Sequence, residues 1–240
     1  MDVMANRWEA RRYGDRFFPA MAIVVALTVI GGFGSFALRG LVDVARVPYW
    51  VHVHGAAFIA WTLLFVVQSL TGQGGSRAWH RRMGWASVGL GVALIPLGMG
   101  TAIMAIRLGR VPEFFPPTIF MALNIMEVLA FGLLLGLAVK LRRRTDWHRR
   151  LMLCAMVAII GPAFGRILPM PLLGPWGGLA VMLCQLLFVA PLCIHDVATR
   201  RRVHGATVLG AMIVLAENLL VPVLAAAPPV IVLTGAIIGA

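Results

Sequence analysis

The residues able to do chemistry in this chain are few, and most stand alone in long apolar runs. They are His52, His54, Glu127, Arg166 and Glu217, with the neutral polar side chains Gln68, Asn124, Gln185 and Asn218 for company. An ionisable group placed in a bilayer costs a few kcal/mol, so it faces a bundle interior, another charge or a ligand. Helical geometry sorts these residues. His52 and His54 are two positions apart, about 200° around the axis, so one regular helix cannot aim both at a single ion. His54, Trp61 and Gln68 recur at seven-residue spacing on one face, while the His52 face continues with Gly55, Ala56 and Ile59. His54 is therefore the inward candidate. Asn124 and Glu127 are three apart and share a face. Glu217 lies about 20 Å from the start of its span, Glu127 near the midplane, His54 in the outer third and Arg166 toward the outer end. These depths allow an outer-half cluster of His54, Glu127, Arg166 and Glu217. It would be an ion-paired network in which Arg166 holds one Glu, or a metal or substrate site; the remaining reading is a scatter of unrelated residues.

A second set sits at the span ends. His80, His148, His195 and His204 fall on one level, beside short runs of Arg. A helix N-terminus and flanking Arg both disfavour imidazolium, which leaves a neutral ring able to bind a metal. Gly84, Ser87 and Gly91 follow His80 on its own face and would leave a flat slot for a porphyrin; Met152, Ala155 and Ile159 after His148 are less open. The sharp expectation is haem b held by His80 and His148, with Arg81, Arg82, Arg149 and Arg150 on its propionates. The plainer one is interfacial His bonded to lipid headgroups or loop carbonyls. His54, His195, His204, Glu127 and Glu217 are the further candidates for a transition metal. No CxxCH motif occurs, which excludes c-type haem attachment, and no HExxH, GxSxG, Walker A or strand-to-helix GxGxxG is present. No catalytic residue is assigned, and an enzymatic activity is left open. Cys154, Cys184 and Cys193 have no CxxC spacing and read as reduced core residues.

Membrane helices must position these groups. Of the 240 residues, 60% are apolar and 12% charged, against about half and a quarter in soluble domains. That balance excludes an ordinary soluble fold and also disorder. Seven stretches have the roughly 20 apolar residues that a crossing helix needs: 17–38, 49–71, 84–106, 117–140, 150–168, 176–195 and 205–227. The prediction is an all-α polytopic bundle, a single transmembrane domain over 1–240, with 228–240 as an apolar interfacial tail too short to cross. The fifth stretch is the weakest, because Pro162 and Arg166 interrupt it. The net charge of +12 comes from Arg in short runs between apolar stretches, which points to membrane orientation and not to nucleic acid. Sixteen of the 21 basic residues lie in the N-terminal tail and in the loops after the second, fourth and sixth spans. The positive-inside rule then puts the N-terminus in the cytoplasm and the C-terminus outside. Arg7, Arg11, Arg12 and Arg16 precede a long span with no A-x-A site, unlike a cleavable signal peptide. Trp50, Trp79, Trp85, Trp147 and Trp176 fall at span ends as an aromatic belt; Trp61 is mid-span. Pro96, Pro162, Pro191 and Pro222 are candidate kinks, and Gly132-x-x-x-Gly136 and Gly161-x-x-x-Gly165 candidate close contacts. Trp79-His80-Arg81-Arg82, Trp147-His148-Arg149-Arg150 and Arg201-Arg202-Val203-His204 form a weak repeat, which duplication or shared orientation would explain.

Over residues 50–170, His54, Gln68 and the run His80-Arg81-Arg82-Met83-Gly84 resemble a family of small bacterial membrane proteins of unknown function. His148-Arg149-Arg150-Leu151-Met152 resembles that family's second basic His motif. More distantly the chain is similar to the transmembrane b-type cytochromes that act as ascorbate-dependent ferric reductases, which pair four His on four consecutive helices around two haems. The resemblance carries over one pair, His80 with His148; the span bearing Asn124 and Glu127 has no His, so the outer pair is missing. It implies a multi-pass protein of the bacterial inner (cytoplasmic) membrane. Three roles are compatible with the residues: a haem or metal redox protein passing electrons to a quinone or a metal, a transporter using Glu127, Glu217 and Arg166, and an accessory subunit of a larger membrane complex. A lipid-modifying enzyme with a His/Glu-bound metal completes the set.

Overall fold

A computed structural model describes residues 2–72 and 76–239, with side chains from Arg16 onward. Arg7, Arg11 and Arg12, which contribute to the charge argument for orientation, lie outside the described side chains. Among the described residues every regular element is helical: α1 (Asp2–Leu38), α2 (Tyr49–Thr71), α3 (Arg77–Arg107), α4 (Pro117–Lys140), α5 (Thr145–Ala158), α6 (Gly161–Ile167), α7 (Met170–Leu173), α8 (Gly177–Arg200), α9 (Gly205–Ala225) and α10 (Pro228–Ile238). Six helical stretches are long and apolar enough to cross a membrane, and α5 with α6 qualifies when the two are taken together across a 45° bend. The expected limits of the second and fourth spans coincide with α2 and α4. Large apolar side chains face outward along these helices, among them Leu27, Leu187 and Val223, each more than 60% exposed. A soluble protein rarely shows such a belt, whereas lipid accepts it.

The element that looked weakest in sequence is the central one. From Leu151 to Gly161 almost every residue of the α5–α6 strut is buried, because α1, α4, α8 and α9 all pack against it. A segment enclosed by protein can break its helix, since neighbours rather than lipid satisfy the freed backbone. The break has a local cause. Pro162 has no N–H to give to Ala158 O, and the chain passes through Ile159 and Ile160 before helix resumes. Gln185 of α8, itself fully buried, fills the gap: its Nε2 donates to Val157 O at 2.9 Å and Ala158 O at 3.1 Å. Pro96, Pro191 and Pro222 interrupt no helix; they lie inside α3, α8 and α9.

The strut runs beside α1 for most of its length. At one end the Arg149 guanidinium sits 4.5 Å from the Phe18 ring centroid. Further along, a Cβ on Gly32 would come within 2.7 Å of Ala163 O. At the other end Arg39 Nη2 donates to Arg166 O at 2.7 Å, and the Arg166 guanidinium covers Phe33 at 4.0 Å. Gly32 thus lets the two backbones meet where no Cβ would fit, while a Cβ on Gly136 or Gly165 of the two GxxxG pairs would meet nothing within 4 Å. Trp61, mid-span in α2, is a core residue: its Nε1 donates to Met156 Sδ at 3.0 Å and its ring meets Phe131 edge to face. Finally, α10 lies across α3 and α4 and buries Ile106 and Met121 together with Val230.

Candidate functional site

Two polar sites emerge, at different depths. The first surrounds the helix break. A cavity of about 110 Å³ opens between α2, α3, α4 and the strut, lined by His54, Thr101, Asn124 and Glu127 among apolar walls that include Phe131, Ile159 and Pro162. That volume holds several waters or a small solute. His54 faces it, with its Nδ1 buried and without a hydrogen-bond partner, whereas His52 is exposed. The helical face argued for His54 is the one the structure presents. Asn124 Nδ2 donates to Phe120 O at 2.8 Å. Glu127 reaches the break itself: a Cβ on Gly161 would fall 2.8 Å from Glu127 Oε1. Glycine there makes room for the carboxyl, and this is why Gly161 matters, not through a GxxxG contact.

Behind Glu127 lies a second buried carboxyl. Glu217 of α9 is 3% exposed, reaches Gln185, and is close enough to Glu127 for their charges to interact. Its Oε2 has no partner. Asn218 Nδ2 donates to Gln185 Oε1 at 2.8 Å and to Val214 O at 2.9 Å. Gln185, noted in sequence only as neutral company, is therefore the hub that joins the break, Glu217 and Asn218. Arg166 does not form the ion pair that one sequence reading gave it. Its Nη1 donates to Pro162 O at 2.8 Å and its plane covers Phe33. Its charge is felt at Glu127 and at His54, but among the described residues no carboxylate lies within ion-pair distance of it. The bend at Ile159–Ile160 turns the side chain toward α1. The first site thus gathers His54, Glu127, Glu217 and, at longer range, Arg166, an arrangement that the span-depth arithmetic allowed.

The second site is at the end of the bundle rich in Arg, and its centre is a residue pair that sequence reasoning missed. Arg150 and Asp196 are both completely buried. Arg150 Nε donates to Asp196 Oδ1 at 2.9 Å, joined by Nη2 on the same oxygen, and Nη1 donates to Asp146 O at 3.0 Å. Asp196 Oδ2 accepts from His204 N at 3.0 Å and Thr207 Oγ1 at 2.5 Å. One carboxylate so ties together the start of α5, the end of α8 and the start of α9. Asp146 adds a more open layer, accepting from Arg149 Nη2 at 2.9 Å and pairing with Arg200 Nη2 at 2.5 Å. A partial signal was present: Asp146 and Asp196 each stand close to Arg in the sequence, as Glu9, Asp15 and Asp43 also do.

This arrangement revises the roles given to the four His. His204 caps α9, accepting from Ala206 N at 3.0 Å through Nδ1, so it acts as a neutral ring. Burial, with the charges of Arg150 and Arg200 added, holds its pKa below the ordinary range. The cap is consequently retained at neutral pH and lost as pH falls below that range. His195 is buried and stacks on Phe17, centroids 4.1 Å apart. His148 Nδ1 is 2.9 Å from Ala138 O. His80 lies near His148, as their electrostatic interaction requires, and its Nδ1 is buried without a partner. The three basic motifs are not equivalent: His80 and His148 lie inside the first turns of α3 and α5, whereas His204 precedes α9.

A porphyrin does not fit the face chosen for it. A Cβ on Gly91 would meet Leu135 Cδ2 at 2.8 Å and Trp61 Cη2 at 2.9 Å, and the Gln68 amide stands 3.9 Å from a Cβ on Gly84. Gln68 Nε2 also donates to His80 O at 3.2 Å. The small residues admit neighbouring side chains instead of a macrocycle. Arg149 and Arg150, expected on propionates, are turned to Asp146 and Asp196, while Arg81 and Arg82 are exposed. Among the described residues no three His, Cys, Asp or Glu side chains converge as metal ligands. Glu217 stands 13 residues, roughly 20 Å, along α9 from His204, so the first site's carboxyl does not share a ligand position with that His.

No protein-family model, curated protein or solved structure matches the chain. The resemblances drawn from the His and Arg motifs rest on those motif residues alone.

Proposed function

We propose that this membrane protein is a proton-linked carrier of a small polar or cationic solute, working through Glu127. The observation that carries the reading is the cavity at the break in the α5–α6 strut, where Glu127 and His54 face one small space and, among the described residues, no cation lies within ion-pair distance of the carboxyl. A buried carboxylate without a cation is costly. Such a site takes up a proton, or a cationic or hydrogen-bonding solute, and exchanges one for the other. Discontinuous helices near the midplane are where carriers place this chemistry. Glu217, reached through Gln185, gives a second carboxyl between which a proton can be shared. In proteoliposomes holding a pH-sensitive dye, a panel of small amines, amino acids and sugars should include at least one solute whose addition moves protons. Glu127→Gln should reduce that flux at least tenfold, and Gly161→Ala, which pushes the carboxyl aside, should reduce it as well. A full panel without proton movement by the folded protein, or flux untouched by Glu127→Gln, would rule the carrier out.

The reading includes seven crossings with the Arg-rich end in the cytoplasm of a bacterial inner membrane. Support comes from the contacts of the strut with both Phe18 and Arg39, which stand 21 residues or roughly 30 Å apart along α1, and from the distribution of Arg. A reporter fused after Ala240 should then be active only outside the cytoplasm. Cytoplasmic activity would mean that the bent strut returns to the side it started from.

A further inference from the structure

Beside the buried Arg150–Asp196 pair lies an open cleft of about 360 Å³ lined by Trp147, Arg200, Arg202, Val203, His204 and Gly205. Every polar side chain on its wall is a hydrogen-bond donor. Arg200 and Arg202 carry guanidinium groups. His204 gives its Nδ1 lone pair to Ala206 N–H, so in the neutral ring the proton is on Nε2. Trp147 contributes an indole, edge-on to His204 with centroids 5.4 Å apart. The local carboxylates are already used: Asp196 is enclosed behind the cleft by Arg150, His204 N and Thr207, and Asp146 is held by Arg149 and Arg200. Arg202 is exposed and has no carboxylate within ion-pair distance among the described residues. Donors without acceptors, an excess of positive charge and an aromatic wall describe a site for an anion. Guanidinium groups match the geometry of a phosphate in particular.

The geometry points to this cleft as a binding site for a phosphate group, gripped by Arg202, Arg200 and His204 against Trp147. The group would arrive as the headgroup of an anionic phospholipid or as free phosphate. Arg202 is the main handle, because Arg200 shares its charge with Asp146.

Native mass spectrometry of the purified full-length protein in detergent, with phosphatidylglycerol and phosphatidylcholine added in turn, tests the site. Phosphatidylglycerol should be retained over phosphatidylcholine, and Arg202→Gln should weaken its retention about tenfold, the scale of one lost charge-assisted bond. Arg143→Gln removes the same charge from an exposed position at the same end of the bundle and should change nothing. If millimolar inorganic phosphate displaces the lipid, the site accepts the free anion; if it does not, the headgroup is the ligand. Equal retention of the two lipids overturns the proposal. So does retention that Arg202→Gln leaves unchanged, or that Arg143→Gln weakens equally, since a diffuse positive field would then be sufficient.

Discussion

Arg150→Leu is expected to cost about 3–5 kcal/mol of stability, the scale for removing one partner of a buried ion pair. The reason is what it leaves behind: an Asp196 carboxylate with no exposure, still facing His204 N–H and Thr207 O–H but without its countercharge. Asp196→Asn should be nearly as damaging. Both carboxylate oxygens accept only from donors, so the amide NH2 would confront either the guanidinium or the His204 and Thr207 donors, whichever way it turned. Arg150→Lys should rescue poorly, because one ammonium cannot reproduce the paired Nε and Nη2 donors and the further bond to Asp146 O. The double variant Arg150→Leu with Asp196→Leu should cost less than the sum of the single changes, and thermal unfolding of the four proteins in detergent closes the cycle. Additive losses would mean that the pair contributes nothing as a pair.

Gly210→Ala is the second change with a large expected effect. A Cβ there would stand 2.3 Å from Cys154 Sγ and 2.7 Å from Cys154 Cβ, in the wholly buried contact between α9 and the central strut. Cys154 is itself buried to 1% exposure, so its side chain has little room to retreat. Overpacking of this kind costs about 1–3 kcal/mol. Cys154→Gly with Gly210→Ala moves the missing methyl across the interface and should recover most of that loss. A Gly210→Ala protein as stable as the parent would show that α9 does not pack on α5 at this depth. The same contact explains why Cys154 is a packing residue, as its lack of CxxC spacing implied.

Much of the architecture was legible because hydrophobic runs of about 20 residues are a strong signal. α2 and α4 begin and end where composition places them, and the helical face that singles out His54 over His52 follows from periodicity alone. The break in the fifth stretch was also foreseeable from Pro162. What sequence could not supply was the consequence of the break. The Ala158 carbonyl, freed by Pro162, demands a donor, and Gln185 provides it from 27 residues away along the chain. No local pattern marks that pairing. The porphyrin slot shows the opposite error. Gly84, Ser87 and Gly91 do leave space on one helix face, but a face is only half of a cavity, and Trp61 and Leu135 arrive from α2 and α4 to fill it.

By itself, then, the sequence determined that the chain is a bundle of membrane helices, which residues are isolated polar groups within it, and which end carries the positive charge. These are properties of single segments, set by transfer free energy and helical period. Tertiary structure alone decided the partners: Arg150 with Asp196 and not with a propionate, Arg166 with a carbonyl and a Phe33 ring and not with Glu127, and Gln185 with the broken strut. A buried donor or acceptor must be satisfied by whichever group packing brings within 3 Å. Side chains on neighbouring helices are brought together by the crossing and rotation of those helices, which no spacing along one helix contains.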